Sequence, residues 1–166
     1  MSLVRKTLML LLVSVAAFSL PAAAEHHEKP NIVGVASANA DFSTLVAAIK
    51  AAGLVDALSA AGPYTVFAPT NAAFANLPAG TLDSLLKPEN QAKLQAILKY
   101  HVVSGNVMAA DVVKLKAATT LEGGSVAISV LGGTVKVNNA TVTATDIAAS
   151  NGTIHVIDTV LLPPAG

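Results

Sequence analysis

The hydrophobic period of this chain changes once, near Ala117, from about 3.6 residues to about 2. Neither an all-helical nor an all-β fold accommodates both halves. The change restricts the chain to an α+β arrangement, with helices concentrated in the N-terminal two-thirds and antiparallel strands in the last third. Upstream, Phe42, Leu45, Val46 and Ile49 stand at i, i+3, i+4 and i+7 behind Asp41, which is placed to cap a helix. Gly53 is placed to end that helix. Residues 54–60 form a second short helix stopped by Gly62-Pro63, and residues 81–86 another turn or two broken at Lys87-Pro88. Residues 89–99 are the clearest helix: the acid lies in the first turn, the lysines come later, and Leu94, Ile97 and Leu98 share a face with His101. Tyr100 to Val103 then leave as a strand, and residues 109–115 form a short helix.

Past the change, Val126, Ile128 and Val130 alternate with Ala127 and Ser129, and Val135 and Val137 alternate with Thr134 and Lys136. Gly132-Gly133 between them signals a two-residue hairpin, because both turn positions need positive φ. Asn138-Asn139 makes a second such turn. Residues 154–162 read as a final strand, apolar on both faces at Ile154, Val156 and Ile157, and therefore central. Earlier in the chain, residues 31–36 supply a helical turn. Residues 64–67 form an apolar strand, after which Thr70 or Asn71 caps a short helix holding Ala72, Ala73 and Phe74.

Residues 1–24 stand apart from the fold. Arg5 and Lys6 precede an apolar stretch, residues 8–20, interrupted only by Ser14 and Ser19, and Ala22-Ala23-Ala24 supplies a cleavage pattern ahead of Glu25. This is a secretory signal peptide of bacterial type. The apolar stretch is shorter than the ~20 residues a membrane span needs. The mature chain is expected to start at Glu25 and to be secreted or periplasmic. Residues 25–30 form an exposed lead and residues 31–163 a single domain. Loss of Arg5 and Lys6 leaves eight basic against ten acidic side chains. That balance argues against nucleic acid as a partner.

The chain has no cysteine, which excludes disulfides, thiolate metal sites and a cysteine nucleophile. It lacks a Gly-x-Ser-x-Gly elbow, a His-Glu-x-x-His pair, a phosphate loop and a dinucleotide fingerprint. No catalytic residue, cofactor or metal is assigned. His101 and His155 read as buried histidines bonded to backbone. Asn139-Ala140-Thr141 and Asn151-Gly152-Thr153 match the glycosylation acceptor pattern, but both asparagines have turn roles and a bacterial host is expected to modify neither.

Three segments are more specific. YTVFAPTNAAF at 64–74 and DIAASNGTIHVIDTVLLP at 146–163 resemble the two homology boxes of the fasciclin domain family, and YHVVSG at 100–105 lies between them, where that family has its Tyr-His pair. The resemblance implies a wedge of two β-sheets decorated by helices over residues 31–163. It also implies a non-enzymatic extracellular adhesion module that binds a protein or glycan surface, or further copies of itself. The alternative is an envelope carbohydrate-active or accessory enzyme whose site has no recognised pattern.

Much of the two boxes is explained by packing. Val66 and Phe67 are core positions, Pro69 fixes a turn, and Asn151-Gly152 is a turn whose glycine is accounted for by φ. In animal members of the family, integrin adhesion has been attributed to an Asp-Ile pair before the second box and to the Tyr-His pair with its aliphatic neighbours. Asp146-Ile147 and Tyr100-His101 with Val102-Val103 match these positions. The integrin does not transfer with the motif to a bacterial host. Asp146, at the end of a strand, either faces a partner through its carboxylate or caps the AASNG turn by accepting backbone amides. The candidate binding edge is Asp146-Ile147.

If cleavage leaves Glu25 as the free N-terminus, His27 becomes the third residue of the His26-His27-Glu28 cluster. An α-amine, two amides and an imidazole make a square-planar Cu(II) set. The solvated-tail reading is preferred. Copper titration of the mature protein is expected to give no stoichiometric visible band; a band lost in His27→Ala would establish the site.

Overall fold

The structure is a computed structural model and describes residues 29–163. The signal peptide and the His26-His27-Glu28 cluster lie outside the described residues. The helices are α1 (Ile32–Ala38), α2 (Ser43–Ala52), α3 (Val55–Ser59), α4 (Asn71–Ala75), α5 (Thr81–Leu85), α6 (Gln91–Tyr100) and α7 (Ala109–Val112). The strands are β1 (Tyr64–Pro69), β2 (Val102–Ser104), β3 (Ala117–Thr119), β4 (Ser125–Leu131), β5 (Thr134–Val137), β6 (Ala140–Ala149) and β7 (Gly152–Ile157). All of these helices precede the change of period, as expected, but β1 and β2 precede it too.

In the sheet order β2-β1-β7-β6-β5-β4-β3, the interior pair β1 and β7 runs parallel, from Tyr64 opposite Gly152 to Pro69 opposite Ile157. Both strands are buried from their second residue onward, so their polar members, Thr65, Thr153 and His155, lie inside as well. On one face Val66, Ala68, Ile154 and Val156 pack against Ile32, Phe42, Ile49, Leu94 and Leu98 of the helical layer. On the other, Phe67 and Ile157 join Val126, Ile128, Val135 and Val137 from the hairpins. Pleating sends successive side chains to these two cores. The strand pattern of the last third holds for β4, β5 and β6, but the parallel pairing of β7 with β1 adds a mixed element to it.

The two sheets implied by the resemblance are two halves of one ladder that meet at β6. Ala140 and Thr141 pair with β5, whereas Val142 to Ala149 pair with β7 across two register shifts. Such bulges bend and twist a strand. The ladder's outermost strands also meet: Val103 bridges Thr120, and the Leu121 N–H donates to the Val102 carbonyl at 2.8 Å. The Gly132-Gly133 turn has positive φ at both positions, 57° and 83°, as expected; the Asn138-Asn139 turn has it at Asn138 alone, 54°.

Several expectations are corrected. Asp41 does not cap α2. It sits inside a 3-10 turn, Ala40–Phe42, capped by Asn39, and that turn delays α2 to Ser43. The α2 amide of Thr44 is instead capped from a distance by Asn71 Oδ1 at 3.0 Å, while Asn71 Nδ2 donates to the Ala40 carbonyl at 2.9 Å. Thr70 caps α4, so the two candidates divide the work between two helices. Tyr100 ends α6 rather than opening a strand, and β7 stops at Ile157 rather than 162. Gly152 is not explained by φ. Its φ lies outside the left-handed region, and a Cβ there would overlap the Tyr64 carbonyl oxygen. The requirement comes from the close approach of β1 and β7.

Ile154 is fully buried between β1 and β6, and Val156 is nearly so. Ile154→Ala is expected to cost on the order of 2–4 kcal/mol through lost methyl burial and the cavity left behind, and Val156→Ala less. Urea midpoints equal to wild type would remove these residues from the core.

Candidate functional site

Thr65 and Thr153 lie opposite each other on β1 and β7, as do Phe67 and His155, so all four share the sheet face turned toward the hairpins. The three polar members are buried, at 0% for Thr65, 3% for Thr153 and 1% for His155. Burial at this depth demands hydrogen-bond partners, and the segment between β2 and α7 supplies them. The Thr65 hydroxyl donates to the Gly105 carbonyl at 2.7 Å and accepts from the Val107 N–H at 2.8 Å. The Thr153 hydroxyl meets Asn106 Oδ1 at 2.6 Å. His155 Nε2 lies 2.7 Å from the Val107 carbonyl, and its Nδ1 lies 3.3 Å from the Asp146 N–H. An N–H beside Nδ1 makes that nitrogen the acceptor, which places the ring proton on Nε2. The ring stacks on Phe67 with centroids 5.7 Å apart.

Asp146 is where this polar row reaches the surface. It lies within β6 at the second register shift, between Ala144 and Ile147, exposed, with φ of 58°. A non-glycine residue in the left-handed region is unfavourable unless neighbours hold it there, and aspartate is among the few that tolerate it. Two contacts hold this one. Its N–H donates to His155, and its Oδ1 accepts from the Ala109 N–H at 2.9 Å at the start of α7. Asp146 is thus neither at a strand end nor the cap of the AASNG turn.

The AASNG turn is held by Asn151. Asn151 Oδ1 accepts from the Ile32 N–H at 2.9 Å, and Nδ2 donates to the carbonyls of Leu58 at 2.6 Å and Ala60 at 2.9 Å. The side-chain nitrogen that would carry a glycan is therefore committed inside the fold. Ile147, next to Asp146, is half-buried against the helical core.

Tyr100 and His101 are placed differently. They join α6 to β2 and are buried, at 3% and 2% exposure. The Tyr100 hydroxyl donates to the Ser125 carbonyl and accepts from Asn138 Nδ2, both at 3.1 Å. His101 Nε2 accepts from the Leu161 N–H at 2.8 Å, which leaves Nδ1 to donate to the Ile97 carbonyl at 2.7 Å. Burial lowers the His101 pKa from 6.5 to about 4, against a smaller upward pull from the Ile97 carbonyl. The polar side-chain atoms of both residues are taken up by these bonds, and the structure does not unite them with Asp146 in one surface. Sequence reasoning missed Thr65, Thr153 and Asn151 as tethers; their signal is polarity inside otherwise apolar strands and turns.

Among the described residues no group of three or more His, Cys, Asp or Glu could hold a metal, and no single helix is long and apolar enough to cross a membrane. Residues 40–163 match the family model of the Fasciclin domain. The chain belongs to the fasciclin domain family. It is 62% identical to Protein sll1483 of Synechocystis sp. over 80% of this chain and 73% of that protein. Its identity to the cell surface glycolipoprotein MPB83 of Mycobacterium bovis is 39%, over 81% of this chain and 61% of that one. A solved fasciclin domain pair, from the insect cell adhesion molecule Fasciclin I, superposes with a TM-score of 0.71 over 81% of this chain and 51% of that one, at 20% identity. That likeness carries the fold.

The fasciclin domain's buried His101 gives its stability a defined pH dependence. Between pH 6.5 and about 4 the unfolded chain binds a proton that the folded chain does not. Stability contributed by the neutral ring is complete above pH 6.5 and is lost as pH falls toward 4, by about 3 kcal/mol in all. Urea denaturation of wild type and His101→Gln across this window is expected to show the variant less stable at neutral pH. The gap should narrow as the pH drops; a constant gap would show that His101 does not titrate with unfolding.

Proposed function

We propose that this fasciclin domain is a secreted, non-enzymatic adhesion module whose contact edge is Asp146-Ile147. In this reading residues 1–24 are a cleaved signal peptide, and residues 25–30 are an exposed lead. The observation that carries the proposal is the state of Asp146. It is the one ionisable side chain of β6, it is exposed, and it is held in a left-handed conformation by bonds from two other elements. Strained residues persist only where surroundings over-determine them, and they concentrate at functional sites. In this reading Tyr100 and His101 act by fastening the end of α6 to β4, to the Asn138 turn and to Leu161. The names of the relatives support the reading: one is a cell surface glycolipoprotein, another a cell adhesion molecule.

The enzyme alternative draws no support from the hollow between α5 and α6. It measures about 350 Å³ and is lined by Thr81, Ser84, Asn90 and Lys93, with no carboxylate or histidine to serve as acid or base.

Asp146→Asn isolates the charge. Asparagine tolerates the same φ and keeps an Oδ1 acceptor for the Ala109 N–H. Adhesion of the mature protein to cell, matrix and glycan surfaces is expected to fall about tenfold with an unchanged melting temperature. Adhesion that persists, or falls only in step with stability, would overturn the site. His101→Gln is expected to lose adhesion only as far as it loses folded protein.

A further inference from the structure

We propose that the outer backbone edge of β6 is a strand-addition site for a short extended peptide carrying a cation; this rests on Asp146 as the contact residue. β6 has ten residues, yet β5 pairs with only Ala140 and Thr141. From Val142 to Ala149 its one sheet partner is β7, which leaves the other side of the strand without a ladder. Exposure follows this geometry. Thr143, Ala144, Thr145 and Asp146 are exposed in succession, where alternation would bury every second residue. The outermost strands β2 and β3, by contrast, close on each other through Val103 and Thr120. The longest unpaired edge among the described residues therefore lies inside the strand order.

Proteins blunt such edges with lysine, proline, bulges or covering segments. The ATVTATDIAA sequence of β6 contains no lysine and no proline. Its two register shifts do break the edge into short straight runs, which opposes a long flat strand but leaves room for a short one. The edge selects its occupant by chemistry. Only a polypeptide in extended form presents N–H and C=O groups at the matching alternation, so a glycan does not satisfy it. A second copy paired through its own β6 would bring another Asp146 to the seam with no cation in either strand, and like charges across a ladder repel. The complement of Asp146 is a lysine or arginine on a foreign strand. Main-chain pairing supplies the affinity, and the ion pair sets register.

The test uses the full secreted chain and an acetylated, amidated seven-residue peptide of alternating valine and threonine with a central lysine. Hydrogen exchange at residues 142–149 is expected to slow about tenfold at saturating peptide. N-methylation of alternate peptide amides is expected to abolish that protection. Glutamate in place of the peptide lysine, or Asp146→Asn in the protein, is expected to weaken binding about fivefold or more. Equal binding of the N-methylated peptide, or no protection at 142–149, would overturn strand addition. If strand addition fails while Asp146→Asn still abolishes adhesion, the adhesion reading stands without it. Peptide pairing with adhesion unchanged in Asp146→Asn would sink the adhesion reading instead.

Discussion

The parallel contact between β1 and β7 is the constraint on which the rest of this fasciclin domain depends. The strands approach so closely that residue 152 has no space for a Cβ beside the Tyr64 carbonyl. Parallel neighbours cannot be joined by a tight turn, so everything from Thr70 to Asn151 becomes a crossover that must leave β1 and return to it. Because the pair is buried on both faces, it also separates and supports two cores. The helices cover one face and the hairpins the other.

The two homology boxes are the two strands of this pair with their flanks. What reads as a functional signature is for the most part the chemistry of bringing them together. Asn71 ties the first box to the start of α2, and Asn151 ties the second to α1 and α3. Each uses both ends of its amide, which for the buried Asn151 is needed if it is not to oppose folding. His101 does the same for α6 and the C-terminal segment through Ile97 and Leu161.

The tethers also reach one exposed carboxylate, that of Asp146. Thr65, Thr153 and His155 hold the Gly105–Met108 segment on the sheet, and the last bond of that row reaches Asp146. A buried imidazole and a helix-start amide thereby fix an exposed carboxylate in an otherwise unfavourable backbone state. β6 parts from β5 after Thr141, ahead of both register shifts, and that parting opens its edge. In the proposed role as a contact, a carboxylate held this way needs no reordering on binding, which lowers the entropy lost on contact.

The sequence by itself determined whatever depends on near neighbours. The α+β division, the αL end of α2 at Gly53, the Gly132-Gly133 turn and the central place of β7 all follow from local period and from φ. It also brought out Asp146 and the Tyr100-His101 pair through resemblance, and read His101 as buried, without naming the groups that hold them. Only the tertiary structure decided the parallel pairing, the distant cap from Asn71, the reason for Gly152 and the partner of Asp146. Each of these joins groups far apart in the chain: 27 residues for the Asn71 cap, 37 for Asp146 and Ala109, and 119 for Asn151 and Ile32. Periodicity and propensity act over a few residues. A side chain's long-range partner is set by which strands lie side by side, and that order exists only once the chain has packed.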